Sequence, residues 1–98
     1  MDITDIANRI YPVCRKYKIE HMYIFGSQAR GNTKPDSDAD FYLDRPGAIT
    51  SIITLSGFRL DLEEALGLEV DIITALEPNS IFGREVQKDM LTIYDNPS

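Results

Sequence analysis

Gly26-Ser27 is followed, after ten intervening residues, by Asp38-Ala39-Asp40, and a third carboxylate, Asp71, lies within the apolar run Val70-Asp71-Ile72-Ile73. On a strand, residues two apart share a face, so Asp38 and Asp40 project the same way from Cα atoms roughly 6.6 Å apart. Such a pair can hold two Mg²⁺ ions about 3.5–4 Å apart, one carboxylate bridging them and Asp71 completing the shell of one. One ion then lowers the pKa of an attacking hydroxyl, and the other neutralises a triphosphate and its leaving pyrophosphate. Gly26 and Ser27 offer close backbone approach, free N–H groups at a helix start and a hydroxyl, all suited to phosphate. This constellation reads as a two-metal phosphoryl-transfer site, and the chain as a small nucleotidyltransferase.

Each part also has a plainer reading. Asp-x-Asp is a common pair with no necessary chemistry, and Gly26-Ser27 also suits an ordinary capped strand-to-helix turn. Asp71, expected on a buried strand, carries a charge that is costly there unless a metal or a salt bridge answers it. Glu69 shares its face and is a weaker ligand candidate. Asp44 lies roughly 13 Å beyond Asp40 at strand spacing and is expected to be a solvated strand end. Arg30 and Lys34 suit phosphate, a partner surface, or plain solvation. His21 lacks partners at metal-ligand spacing and is read as structural. Gly26-x4-Gly31 begins like a P-loop, but Asn32-Thr33 stands where Lys-Ser/Thr is required, so that reading fails. One His and one Cys leave no Ser-His-Asp set or zinc cluster.

The elements that must position these residues follow from pattern and punctuation. Ile3, Ile6, Ala7, Ile10, Val13, Cys14 and Tyr17 form one helical face, with Pro12 expected to kink the helix. Met22–Phe25 reads as a buried strand, 27–30 as one helical turn and 32–37 as a loop. Asp38–Leu43 alternates, Asp38, Asp40 and Tyr42 against Ala39, Phe41 and Leu43, and Pro46-Gly47 closes it. Helical periodicity over Ile49–Leu66 stops at Gly67, and Leu68–Thr74 reads as a third strand. Asn79 or Ser80 can cap a helix with Phe82, Val86 and Met90 on one face, before an edge strand over Leu91–Tyr94.

Connection lengths predict the topology. The link between the first two strands is too short for a parallel crossover, so they pair antiparallel, setting Gly26-Ser27 beside Asp38. The segment 46–67 is long enough for a right-handed crossover, making strands two and three parallel and bringing Asp71 to Asp38 and Asp40. The expected fold is α/β (α+β), a small mixed sheet of about four strands with helices packed on it.

At 98 residues the chain has room for one core, and a single domain over 1–98 is expected. Its 43% hydrophobic content argues for a folded chain. The absence of a long apolar run or a basic leader predicts no membrane segment and a cytoplasmic setting. The net charge of −6 disfavours direct nucleic-acid binding by bulk electrostatics and is compatible with a basic protein partner. Cys14, on a helix's apolar side, is expected to be a core thiol.

Gly26-Ser27, ten residues, Asp-x-Asp and a later strand Asp resemble the signature of the DNA polymerase β-like nucleotidyltransferase superfamily. The fuller run Gly26-Ser27-Gln28-Ala29-Arg30-Gly31 with Ser37-Asp38-Ala39-Asp40 resembles its minimal nucleotidyltransferase (MNT) branch. The resemblance implies that Gly26 and Ser27, with Arg30 beside them, bind nucleotide phosphate and that Asp38, Asp40 and Asp71 ligate Mg²⁺. Gln28 departs from the branch, which often has a basic residue there, implying a weaker phosphate grip. Stand-alone members of the branch are antitoxins paired with a HEPN-domain ribonuclease toxin, transferring AMP from ATP to a toxin tyrosine or acting by binding. The leading expectation is therefore an ATP- and Mg²⁺-dependent protein adenylyltransferase in a complex with such a toxin. The alternatives are a binding module with a vestigial site, and a small-molecule or tRNA nucleotidyltransferase.

Overall fold

The structure, a computed structural model, describes residues 2–26, 28–29 and 38–96. The first helix, α1 (Ile3–Lys16), starts where the Asp2 carboxylate accepts the Asp5 N–H at 2.8 Å, and ends on Arg15 and Lys16, whose charges suit its C-terminal dipole. Ile6, Ile10 and Cys14 recur every four residues and are fully buried. Pro12 lies on the exposed side, and α1 runs through it as one helix. Burial pushes the Cys14 thiol up to about 12, as befits a core residue without a charged role.

Strands β1 (His21–Phe25) and β2 (Ala39–Arg45) pair antiparallel, as their short connection requires. The second helix, α2 (Ile52–Leu66), leads to β3 (Val70–Ile73), which pairs parallel with β2. The third helix, α3 (Ile81–Asp89), leads to β4 (Leu91–Asp95), antiparallel to β1. The sheet order is β3-β2-β1-β4, so β4 is an edge strand as its sequence suggests. This is the expected mixed α/β (α+β) architecture, with three helices and four strands among the described residues.

The two faces of the sheet differ. Met22 and Ile24 of β1, Ala39, Phe41 and Leu43 of β2, and Val70 of β3 are buried against α1 and α2, where they meet Ile6, Ile10, Phe58 and Leu62. On the other face His21, Tyr23, Asp40, Tyr42 and Asp44 are only half-buried. There α3 reaches β1 alone, Phe82 standing edge-on to Phe25 with ring centroids 6.3 Å apart.

The helix expected from Ile49 begins three residues later. Ser51 supplies the cap, its hydroxyl accepting the Thr54 N–H at 3.2 Å, and Ile49 is buried in the connector before it. The face that docks is Phe58, Leu62 and Leu66, leaving Ile52 and Ile53 81% and 85% exposed. Periodicity counted those two isoleucines with the core. At the first turn of a helix their face has already rotated off it. The strand expected over 68–74 narrows to Val70–Ile73.

Phe58, fully buried and edge-on to Tyr17 at 5.2 Å, anchors α2 to α1. Phe58→Ala is expected to cost about 3–5 kcal/mol of unfolding free energy in urea titrations. Ile53→Ala, at a solvent-facing position, should stay within about 0.5 kcal/mol.

Candidate functional site

The candidate site is built where the starts of β2 and β3 meet the end of β1. In the parallel β2–β3 ladder Ala39 pairs with Val70 and Asp40 with Asp71. Directly paired residues share a face, so the Asp40 and Asp71 side chains leave adjacent strands from Cα atoms about 4.8 Å apart. Asp38 immediately precedes β2 and is exposed. On the other side of β2, Phe25 pairs with Asp40, which carries Gly26 up to the same carboxylate.

Three local features hold this register. The Ala39 N–H donates to the Glu69 carbonyl at 2.9 Å, tying Asp38-Ala39-Asp40 to the residue two before Asp71. The Glu63 carboxylate of α2 accepts the Val70 N–H at 3.0 Å, and Arg59 donates to that same oxygen at 3.3 Å. This brace was not visible in the sequence, because the seven-residue separation of Glu63 and Val70 spans a helix end whose geometry decides whether the side chain can reach. Gly26 is the third feature. Its φ is +75°, which favours glycine, and a Cβ there would stand 2.5 Å from Asp40 Oδ2, so the carboxylate would have to shift.

The electrostatics are those of crowded like charges. Desolvation, then Asp71, then Asp38 raise the Asp40 pKa above its ordinary 3.8. Among the described residues, no ion pair involves Asp38, Asp40 or Asp71. Nor do any three His, Cys, Asp or Glu side chains there form a ready-made metal cage. The donors nonetheless suit Mg²⁺, a hard cation usually held by one or two carboxylates plus water and substrate phosphates.

Asp71 is exposed, on an edge strand, so the expectation of a buried charge there is corrected. The apolar neighbours Val70 and Ile72 turn to the core face, and Asp71 alternates outward between them. Glu69 is likewise exposed and, with Asp71, lines a groove of about 560 Å³ bounded by Arg59 and Glu63. Ser27 and Arg30, expected at the phosphate, lie outside the described residues, as do Lys34 and the 32–37 loop. Of the turn expected over 27–30, Gln28 and Ala29 are described, both in a turn, with Gln28 only 3% exposed.

Asp44 is not simply a solvated strand end. Its Oδ1 lies 2.7 Å from His21 Nδ1, and Thr92 Oγ1 lies 3.3 Å from His21 Nε2. The cross-strand pairing of His21 with Arg45 brings the start of β1 and the end of β2 together, which spacing within either strand does not reveal. Tyr23 stacks on Tyr42 between this group and the carboxylates, with ring centroids 5.8 Å apart.

Residues 8–98 match the family described as "Polymerase beta, Nucleotidyltransferase". The chain belongs to that family. It is 38% identical over 74 residues to a Methanocaldococcus jannaschii protein with the provisional name protein adenylyltransferase MJ0435, covering 76% of this chain and 78% of that one. A crystal structure of a toxin–antitoxin with AMP-PNP shares the fold at a TM-score of 0.71 and 21% identity, covering 93% of this chain and 74% of that one. So does a complex of tri-AMPylated Shewanella oneidensis HEPN toxin with its MNT antitoxin, at 0.67 and 18%, covering 96% and 73%.

Gly26→Ala should destabilise the chain by about 1–3 kcal/mol, from a left-handed φ and a clash with Asp40, read in urea denaturation. Asp40→Asn has the opposite sign. A carboxyl with a raised folded-state pKa contributes stability at low pH and loses it as pH rises through that pKa. Metal-free Asp40→Asn should therefore match or exceed the wild-type Tm at neutral pH. The difference should shrink as pH falls through the raised folded-state pKa and be essentially gone by about pH 4, followed by circular dichroism melts.

Proposed function

We propose that this chain is a Mg²⁺-dependent nucleotidyltransferase that moves AMP from ATP to a tyrosine hydroxyl of a HEPN-type toxin, and so acts as its antitoxin. The observation that carries this reading is the in-register pairing of Asp40 with Asp71, beside Asp38 and against the Gly26 backbone. Family membership supports the reaction class, and the names of the relatives and fold neighbours support AMP transfer to a protein. The proposal includes a single domain over 1–98 and a cytoplasmic setting. No helix among the described residues is long and apolar enough to cross a membrane.

Asp38, Asp40 and Asp71 would hold the metal, which when bound supplies positive charge for the triphosphate and lowers the pKa of the acceptor hydroxyl. The chain's own residues do the positioning. Gly26 leaves room for close approach to Asp40, and the β2–β3 register sets the spacing of the carboxylates. Ser27 and Arg30 are proposed to grip phosphate. In the reaction the acceptor oxygen forms a bond to the α-phosphorus while the bond to pyrophosphate breaks, the hydroxyl proton passing to water. Electrostatic complementarity to charge on the α-phosphate is what accelerates such a transfer.

A binding module that neutralises the toxin by contact is the second reading. Incubation with radiolabelled ATP, Mg²⁺ and a HEPN-domain toxin that this chain binds separates the two. Label on the toxin with the wild-type chain, falling at least 100-fold with Asp38→Asn/Asp40→Asn, is the expected result. Full neutralisation without label, retained by the double variant, would overturn the enzymatic reading. Mg-ATP at about 100 times its Kd stabilises by about 2.7 kcal/mol. For a chain of this size that is a Tm rise on the order of 10–20 °C, and the double variant should lose most of it.

A further inference from the structure

The apolar face read along α3 places Phe82 with Val86, yet the two have different fates. Val86 is 2% exposed, while Phe82 is 57% exposed and neighbouring Ile81 84%. Phe82 is nevertheless held in place. The helix cap beneath it is fixed by the Ser80 hydroxyl, which accepts the Gly83 N–H at 2.9 Å and donates to the Glu77 carbonyl at 2.8 Å. Gly83 packs so closely on that carbonyl that a Cβ would collide with it. The edge of the ring contact with Phe25 fixes the rest, leaving much of the aromatic surface to solvent.

Its location gives this exposure a use. Phe25 is the register partner of Asp40 and the residue immediately before Gly26. One ring contact of 6.3 Å therefore links Phe82 to the strand end where phosphate and carboxylates are expected to meet. A nucleotide held there by its phosphates carries its base several ångströms away from them, and Phe82 is the exposed ring beside that strand end. Resting on the proposed nucleotide site, we infer that Phe82 is the platform on which the base of the bound nucleotide stacks, with Ile81 alongside it. An exposed, pre-positioned aromatic ring is suited to this because every base has a π-face, and stacking needs no hydrogen-bond match. The same ring would contribute affinity for any of the four bases, so selection of adenine must come from other groups.

The platform touches base and not phosphate, which makes it separable from the rest of the site. Calorimetric titration of wild-type, Phe82→Ala and Phe82→Tyr chains with Mg-ATP and with Mg-tripolyphosphate tests it. Phe82→Ala should weaken ATP binding roughly 5- to 100-fold and leave tripolyphosphate within about twofold. Phe82→Tyr should bind both like wild type. Equal weakening of both ligands, or unchanged ATP affinity, overturns the assignment. So does unchanged ATP affinity with weakened binding of the HEPN-type protein, which would make Ile81-Phe82 a protein-docking ledge. If the wild-type chain binds neither ligand, the nucleotide reading itself fails. That outcome is distinct from loss of ATP discrimination alone.

Discussion

The site depends on an unfavourable interaction, the crowding of Asp40 by its neighbours. β2 sets its carboxylate against the Gly26 backbone, the parallel ladder sets Asp71 beside it, and Asp38 leads into the same strand. Among the described residues no ion pair reaches any of the three, and the pKa of Asp40 is raised, by desolvation first and then by Asp71 and Asp38. Crowding of this kind is tolerable only if the backbone cannot relax it. The hydrogen bond from Ala39 to Glu69 and the brace from Glu63 to Val70 supply that resistance. A cation bound there would turn the repulsion into attraction, so the same geometry that destabilises the empty site favours a charged ligand.

Further resistance comes from the opposite side of the sheet. Phe41 lies fully buried between the half-buried Asp40 and Tyr42 of the same strand, and Val70 does the same beside Asp71. A slip of one residue would exchange the faces, driving Asp40 into the apolar core and Phe41 into water. Core packing thus fixes the carboxylate register as firmly as any contact in the site. It also explains why a chain of this length can give up one sheet face to polar groups: α1 and α2 cover the other completely enough to hold the fold.

Connection length and strand alternation were enough to read the sheet, because both are short-range constraints with few solutions. The antiparallel β1–β2 pair, the parallel β2–β3 pair and the edge position of β4 all follow from them. What sequence could not supply was orientation across elements. Asp71 looked buried because three apolar residues surround it in sequence, whereas on a strand its nearest neighbours point the other way. Asp44 looked solvated because its partner, His21, sits 23 residues away on the adjoining strand. Ile52 and Ile53 looked like core because periodicity has no way to tell where a helix starts to touch its neighbour.

The half-open face follows from the same geometry and limits what the site can do alone. α3 covers β1 near Phe25, but the Tyr23–Tyr42 stack and the His21–Asp44 pair stay only half-buried. Phosphoryl transfer gains most where water is excluded and charge is held in low dielectric. A carboxylate group on an open sheet face lacks that enclosure, and the described residues contain no lid to provide it. On the proposed function, nucleotide over one part of the face and acceptor protein over the rest would supply that enclosure. On that reading, transfer to a partner that seals the face would be favoured over hydrolysis.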